Sequence, residues 1–154
     1  MELYIAEQLA WDKMKEYGLV ANRWTFDFLN SKNVFGRVYY QERILLLSAD
    51  LVLLNDEPEI MDTILHEIAH ALAGPGAKHG PVWQRYCREL GCRPEARYDP
   101  DKHNVNMPKK KFIGVCPNGH KIEKDRLPKG MRGCGKCSKT FDERYLFIFT
   151  LNNQ

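Results

Sequence analysis

The chain has 154 residues, of which 44% are hydrophobic, 28% charged and 11% aromatic, with a formal net charge of +3. This is an ordinary folding composition with room for one main core and a small appendage, and it excludes collagenous, coiled-coil and intrinsically disordered classes. No apolar run approaches the roughly 18 residues that a membrane span needs, and Met1-Glu2-Leu3-Tyr4 has no basic leader region, so a cytoplasmic protein without a membrane partner is expected. The five cysteines are odd in number, and three of them fall late in the chain at metal-ligand spacing. That pattern favours a reducing compartment over a disulfide framework.

Residues 3 to 17 place Leu3, Ala6, Leu9 or Ala10, Lys13 or Met14, and Tyr17 along one helical stripe that Gly18 stops, which predicts a packing helix. From Trp24 the period changes to two. Trp24, Phe26 and Phe28 alternate with Thr25 and Asp27, and Val34 to Tyr40 and Arg43 to Ser48 follow after short polar breaks, which predicts three strands in a meander. The third, Ile44-Leu45-Leu46-Leu47, is apolar without alternation and is expected to be buried on both faces.

The run from His66 to Trp83 reads HEIAHALAGPGAKHGPVW. On a helix, the first and last positions of H-E-x-x-H stand one turn apart on the same face, so His66 and His70 can grip one ion. Glu67 lies beside the first of them, where it can hold and deprotonate a water at the metal rather than ligate. Asn55 and Asp56 are the expected N-caps and Pro58 fits the first turn, while Ile60, Ile64 or Leu65, Ile68 and Leu72 supply a buried face. A hydrolytic zinc site needs a third protein ligand and an open position. His79 is the candidate, because Gly74, Pro75 and Gly76 end the helix and Gly80 with Pro81 starts another directly after it.

That next helix has Val82, Trp83, Tyr86, Cys87 and Leu90 at helical spacing and ends at Gly91, making Cys87 a buried thiol and Cys92 a loop thiol. Arg93 to Lys111, broken by Pro94, Pro100 and Pro108, reads as a connector. Beyond it, Cys116-Pro-Asn-Gly-His120 and Cys134-Gly-Lys-Cys137 are two knuckles about fifteen residues apart, and Cys116, His120, Cys134 and Cys137 make a closed, structural zinc set. Charge divides at the connector: residues 1–101 hold 11 Lys+Arg against 16 Asp+Glu, a net of −5, and residues 102–154 hold 12 against 4, a net of +8. Lys109, Lys110, Lys111, Lys121, Lys124, Arg126, Lys129 and Arg132 form an electrostatic footprint for a phosphate backbone, so nucleic acid is the expected partner.

Taken in order, Phe35-Gly36-Arg37-Val38, Ile44 to Ser48, HEIAHALA, His79-Gly80-Pro81-x-Trp83 and the Cys116 to Cys137 ribbon resemble the SprT-like zinc metalloprotease family over nearly the whole chain. The resemblance departs at the Cys-x-x-x-His half of the ribbon and in the expected lack of extra recruitment tails. It implies an α+β protein with a minimal zincin-like domain over 1–105, a basic connector over 106–112 and a small β-rich zinc ribbon over 113–154. It also implies His66, His70 and His79 as ligands of a catalytic zinc, Glu67 as catalytic base, and a second, structural zinc in the ribbon. The activity implied is proteolysis of DNA-associated or DNA-crosslinked proteins with DNA as activator, in the cytoplasm at the nucleoid or, in a eukaryote, in the nucleus. Two alternatives stand beside it: a DNA-binding zinc module without proteolysis, which leaves Glu67 without a purpose, and a zinc peptidase acting on free polypeptides.

Overall fold

The computed structural model describes residues 1–98 and 103–153; Pro100 of the expected connector lies outside them. The chain forms two compact units, Met1–Pro108 and Lys109–Gln154, and the protein is α+β. Among the described residues no helix is long and apolar enough to cross a membrane.

The first unit opens with helix α1, Leu3–Glu16, which buries Ala6, Ala10 and Met14. Of the alternatives along its stripe, the structure uses Ala10 and Met14, because two alanines spaced four apart let this helix approach the core closely. Strands β1 (Thr25–Leu29), β2 (Gly36–Tyr39) and β3 (Ile44–Ser48) form a sheet in the order β1-β3-β2. This corrects the expected meander. β3 lies between the other two, antiparallel to β2 and parallel to β1, with Leu47 opposite both Phe28 and Gly36. The reason is composition: β3 carries Leu45, Leu47 and Ser48 fully buried and has no polar face to show to water, whereas β2 exposes Arg37 and Tyr39 and tolerates an edge.

A six-residue helix, α2 (Ala49–Leu54), follows β3 directly; the sequence reading has no counterpart for it. Ser48 caps it by accepting a hydrogen bond from the Leu51 N–H at 3.2 Å. The core helix α3, Glu57–Ala73, has Asp56 at its N-cap position, where the side chain makes no capping hydrogen bond, and Pro58 in its first turn, and it buries Ile60, Thr63, Ile64, Leu65, Glu67, Ile68 and Ala69. Asn55, also expected to cap it, does something else. Its side chain donates to the Leu51 and Asn106 carbonyls at 2.7 and 2.8 Å and accepts from the Asn106 N–H at 2.7 Å, tying the end of the unit to its middle.

Helix α4, Pro81–Leu90, buries Trp83 and Cys87 but leaves Val82 47% exposed, against expectation. The segment after it is no slack connector at its start. Arg93 holds Asp62 through its backbone N–H and its Nε, both at 2.9 Å, and pairs with Glu59. Tyr98 hydrogen-bonds the Thr63 hydroxyl and packs on Phe35 with ring centroids 4.3 Å apart. Cys92 lies in the loop after α4, as expected, and is also buried, its N–H bonding to the Cys87 carbonyl at 2.9 Å; both are free thiols.

The second unit is a three-stranded antiparallel sheet in the order β5-β4-β6, built from β4 (Phe112–Val115), β5 (Lys121–Lys124) and β6 (Ile148–Leu151). Gly114 is buried in its centre, and a side chain there would meet the Phe149 ring at 2.6 Å. A single-turn helix, Glu143–Tyr145, precedes β6.

Removing the Asn55 amide strands polar atoms of two segments, so Asn55→Ala should cost about 1–3 kcal/mol in urea unfolding. Val82→Ala, on the exposed side of α4, should stay within about 0.5 kcal/mol.

Candidate metal centres

The helical register of α3 sets His66 and His70 on one face with ring centroids 5.0 Å apart. His79 arrives from the turn between α3 and α4. Gly74 ends α3 with φ 84°, the Ala77 N–H bonds to the Gly74 carbonyl at 3.2 Å, and the Gly80 N–H bonds to the Ala77 carbonyl at 2.8 Å. This tight path returns the His79 ring to 4.6 Å from that of His70 and 5.4 Å from that of His66. The donor nitrogens of the three all lie within 4.8 Å of one another.

These residues fit zinc. The Nε2 atoms of His70 and His79 are 3.1 Å apart, near the roughly 3.3 Å edge of a tetrahedron with Zn–N of about 2.0–2.1 Å. Burial, with the neighbouring imidazoles adding to it, lowers His66 to about 3 and His70 to about 4, and burial lowers His79. All three are then neutral near pH 7, the form that ligates.

Trp83 is the floor of the site. It is fully buried, its indole lies 4.7, 5.2 and 4.6 Å from the His66, His70 and His79 rings, and its Nε1 is 3.5 Å from the His66 carbonyl. The only trace of this in the sequence is spacing, Trp83 following His79 by four residues across a helix start. Tyr40 secures the other side by donating from its hydroxyl to the His70 carbonyl at 3.1 Å. Neither residue is assigned a role at the metal by sequence reasoning.

Glu67 is 6% exposed. Desolvation raises its carboxyl to about 8, against a smaller opposing pull from Arg37. It opens into a cleft of about 850 Å³ whose walls include Phe35 to Val38, Tyr40, Tyr98 and Val105. A cation placed among the imidazoles would favour the carboxylate.

In the second unit, Cys116, His120, Cys134 and Cys137 bring their donor atoms within 4.8 Å of one another. Gly119, with φ 80°, turns the first knuckle, and the Cys137 and Ser138 N–H groups both bond to the Cys134 carbonyl at 3.1 Å in the second. The Cys116 and Cys137 sulfurs are 3.7 Å apart, and the His120 Nδ1 lies 3.5, 3.5 and 3.2 Å from Cys116, Cys134 and Cys137. A zinc tetrahedron with bonds of about 2.3 Å to sulfur and 2.0–2.1 Å to nitrogen has S–S edges near 3.8 Å and S–N edges near 3.5 Å. The geometry fits one zinc with no position left over. Although desolvation opposes it, backbone N–H donation from Cys137 and Lys136 lowers Cys134 to about 7, making a thiolate accessible near neutral pH.

The basic candidates differ in their surroundings. Lys109, Lys111, Lys121, Arg126, Lys129 and Arg132 are exposed, while Lys110 and Lys124 are half-buried. Lys110 bonds to Asp125 at 2.8 Å, and Lys111 stands 5.5 Å over the Phe112 ring. Lys121, Arg132 and Lys136 line one hollow of about 200 Å³ beside His120 and Cys134.

The metal-free imidazole site has a pH signature. The two most strongly depressed imidazoles, His70 and His66, contribute stability that is whole above their unfolded value of 6.5 and is lost as pH falls toward their folded values of about 4 and 3. The raised Glu67 contributes stability that is whole below 4.5 and is lost as pH rises through about 8. Two imidazoles outweigh one carboxyl on the acid side, so stability from these groups peaks near pH 6.5 and falls on both sides. Urea midpoints of the metal-free protein from pH 4 to 9 should trace that peak, and saturating zinc should remove the decline above it.

A family model described as the SprT-like family matches residues 7–106. Neither the curated proteins nor the solved structures gave a match. The matched stretch takes in α3, the turn that presents His79, α4 and Trp83, and it stops before the Cys/His ribbon. With well over half its length inside that match, the chain belongs to the SprT-like family, and its first unit is a zinc metallopeptidase-like domain.

Proposed function

We propose that this protein is a zinc-dependent endopeptidase that binds DNA through its second unit and cleaves proteins associated with or crosslinked to it. The observation that carries the peptidase reading is Glu67, a buried carboxylate beside a three-imidazole cluster at the wall of a large cleft. A helix placed only for packing has no use for a charge-bearing group there.

His66, His70 and His79 would hold the zinc, which when bound polarises a peptide carbonyl and brings the pKa of water down toward 7. Glu67 then works as general base and acid. One carboxylate oxygen accepts a proton from the attacking water, and the same group returns it to the leaving amine nitrogen. The substrate path is supported by β2, an edge strand whose Gly36, Arg37 and Val38 line the cleft. An extended polypeptide can add to such an edge through main-chain hydrogen bonds. Substrates would be flexible segments, the kind exposed on a protein held fast to DNA.

The DNA reading is supported by the division of charge and by the hollow where Lys121, Arg132 and Lys136 meet. Lys110 is a weaker candidate for phosphate, since Asp125 already engages it. The ribbon zinc would be structural, holding a small sheet that has little core of its own. A location at the nucleoid, or in a nucleus, follows from that reading.

The deciding assay incubates a DNA-binding substrate protein with the enzyme, with and without DNA and with and without a chelator. Elemental analysis should find two zinc ions per chain in both the wild type and Glu67→Gln, while cleavage by the variant should fall about 10²–10⁴-fold. Undiminished cleavage by Glu67→Gln would remove the general base. Neutralising Lys121, Arg132 and Lys136 together to Gln should weaken duplex binding and flatten its salt dependence by about 0.9 for each phosphate no longer neutralised. The triple variant should cleave the DNA-bound substrate poorly and a free unfolded peptide normally. Equal cleavage of both by the triple variant would favour a peptidase of free polypeptides.

A further inference from the structure

We infer that Gly36 is a positioning residue for the Glu67 carboxylate, a notch in the inner face of β2 that admits the Glu67 side chain; its catalytic meaning rests on the peptidase reading above. A glycine within a strand is costly, since it packs nothing and loses more backbone freedom than other residues. Several glycines elsewhere in the chain justify themselves by conformation. Gly18, Gly74, Gly91 and Gly119 have positive φ, and a Cβ at any of them would meet nothing within 4 Å. Gly36 is the reverse. Its φ is not positive, so any residue could adopt its backbone, but a Cβ there would stand 2.5 Å from the Cγ of Glu67, 2.7 Å from its Oε1 and 2.9 Å from its Cδ.

Neither backbone can retreat to relieve such a clash. Gly36 is held in register opposite Leu47, which is fully buried, and α3 is held by Ile64 and Ile68, also fully buried. Close-packed interiors yield little to an added methyl. The part free to move is the Glu67 side chain, which would have to swing its carboxylate away from the place it now holds in the wall of the cleft that His66 also lines. The empty space at Gly36 therefore fixes where the carboxylate sits. Being on the cleft-lining edge strand, it also keeps that carboxylate next to the strand on which substrate would lie.

The test compares the wild type, Gly36→Ala, Glu67→Gln, Glu67→Ala and the double variant Gly36→Ala with Glu67→Ala. Zinc content and the metal-free unfolding midpoint are measured for each, and kcat and KM for an unfolded peptide. Gly36→Ala should keep its zinc and its KM and lose about 100-fold in kcat, the order expected for a displacement of about 1 Å. Its unfolding midpoint should drop in the Glu67 protein and not in the Glu67→Ala background, because the partner of the clash is then gone. A wild-type kcat for Gly36→Ala beside an inactive Glu67→Gln would overturn the role given to Gly36 while leaving the peptidase reading standing. So would an equal drop in midpoint in both backgrounds, or loss of zinc. A wild-type protein that cleaves nothing, or a Glu67→Gln variant that cleaves as well as the wild type, would overturn the peptidase reading and the catalytic role of Gly36 with it.

Discussion

The first unit depends on one costly placement, the burial of a carboxyl group on its most deeply packed helix. Ionised and unpaired, a buried carboxylate costs several kcal/mol, and the metal-free protein avoids most of that by raising Glu67 to about 8. The imidazoles beside it are pushed the opposite way, toward neutrality. Two kinds of group thus sit in one desolvated pocket, each held in its uncharged form until a divalent cation makes charge on the carboxylate favourable. A site built like this changes its charge state when a cation fills it.

Tertiary contacts exist largely to hold that arrangement. Trp83 supports all three imidazoles from below, so the packing of α4 against α3 and the position of His79 are one structural fact. β3 takes the centre of the sheet because its leucines need cover, which leaves β2 at the edge and above α3. The edge then serves the cleft, since a strand with an unpaired side is the natural place for another extended chain. Arg93 and Tyr98 fasten the segment after α4 onto Asp62 and Thr63, residues one turn ahead of His66 and Glu67, and so close the remaining wall.

The second unit solves a different problem. Its sheet has strands of four residues and few buried side chains, too little apolar area to offset its chain entropy. Four donors at tetrahedral spacing supply the missing stabilisation through a metal, which keeps its surface available for charge. The basic residues can then occupy its strands and loops without being needed in a core.

The sequence alone determined the features of the site that depend on local periodicity and turn chemistry. The i, i+4 spacing of His66 and His70, the glycine and proline punctuation around His79, the two knuckles of the ribbon and the shift of charge at the connector were all legible, because each is a relation among near neighbours. Only the tertiary structure decided the strand order, the tie from Asn55 to Asn106, the exposure of Val82, the burial of Cys92 and the floor beneath the imidazoles. These follow from which surfaces compete for the same core. A strand with no polar face displaces one that has it, and a glycine that looks like a weak point in β2 is needed by a side chain thirty-one positions away. No local pattern encodes that, since the partner of Gly36 is defined by packing and not by spacing.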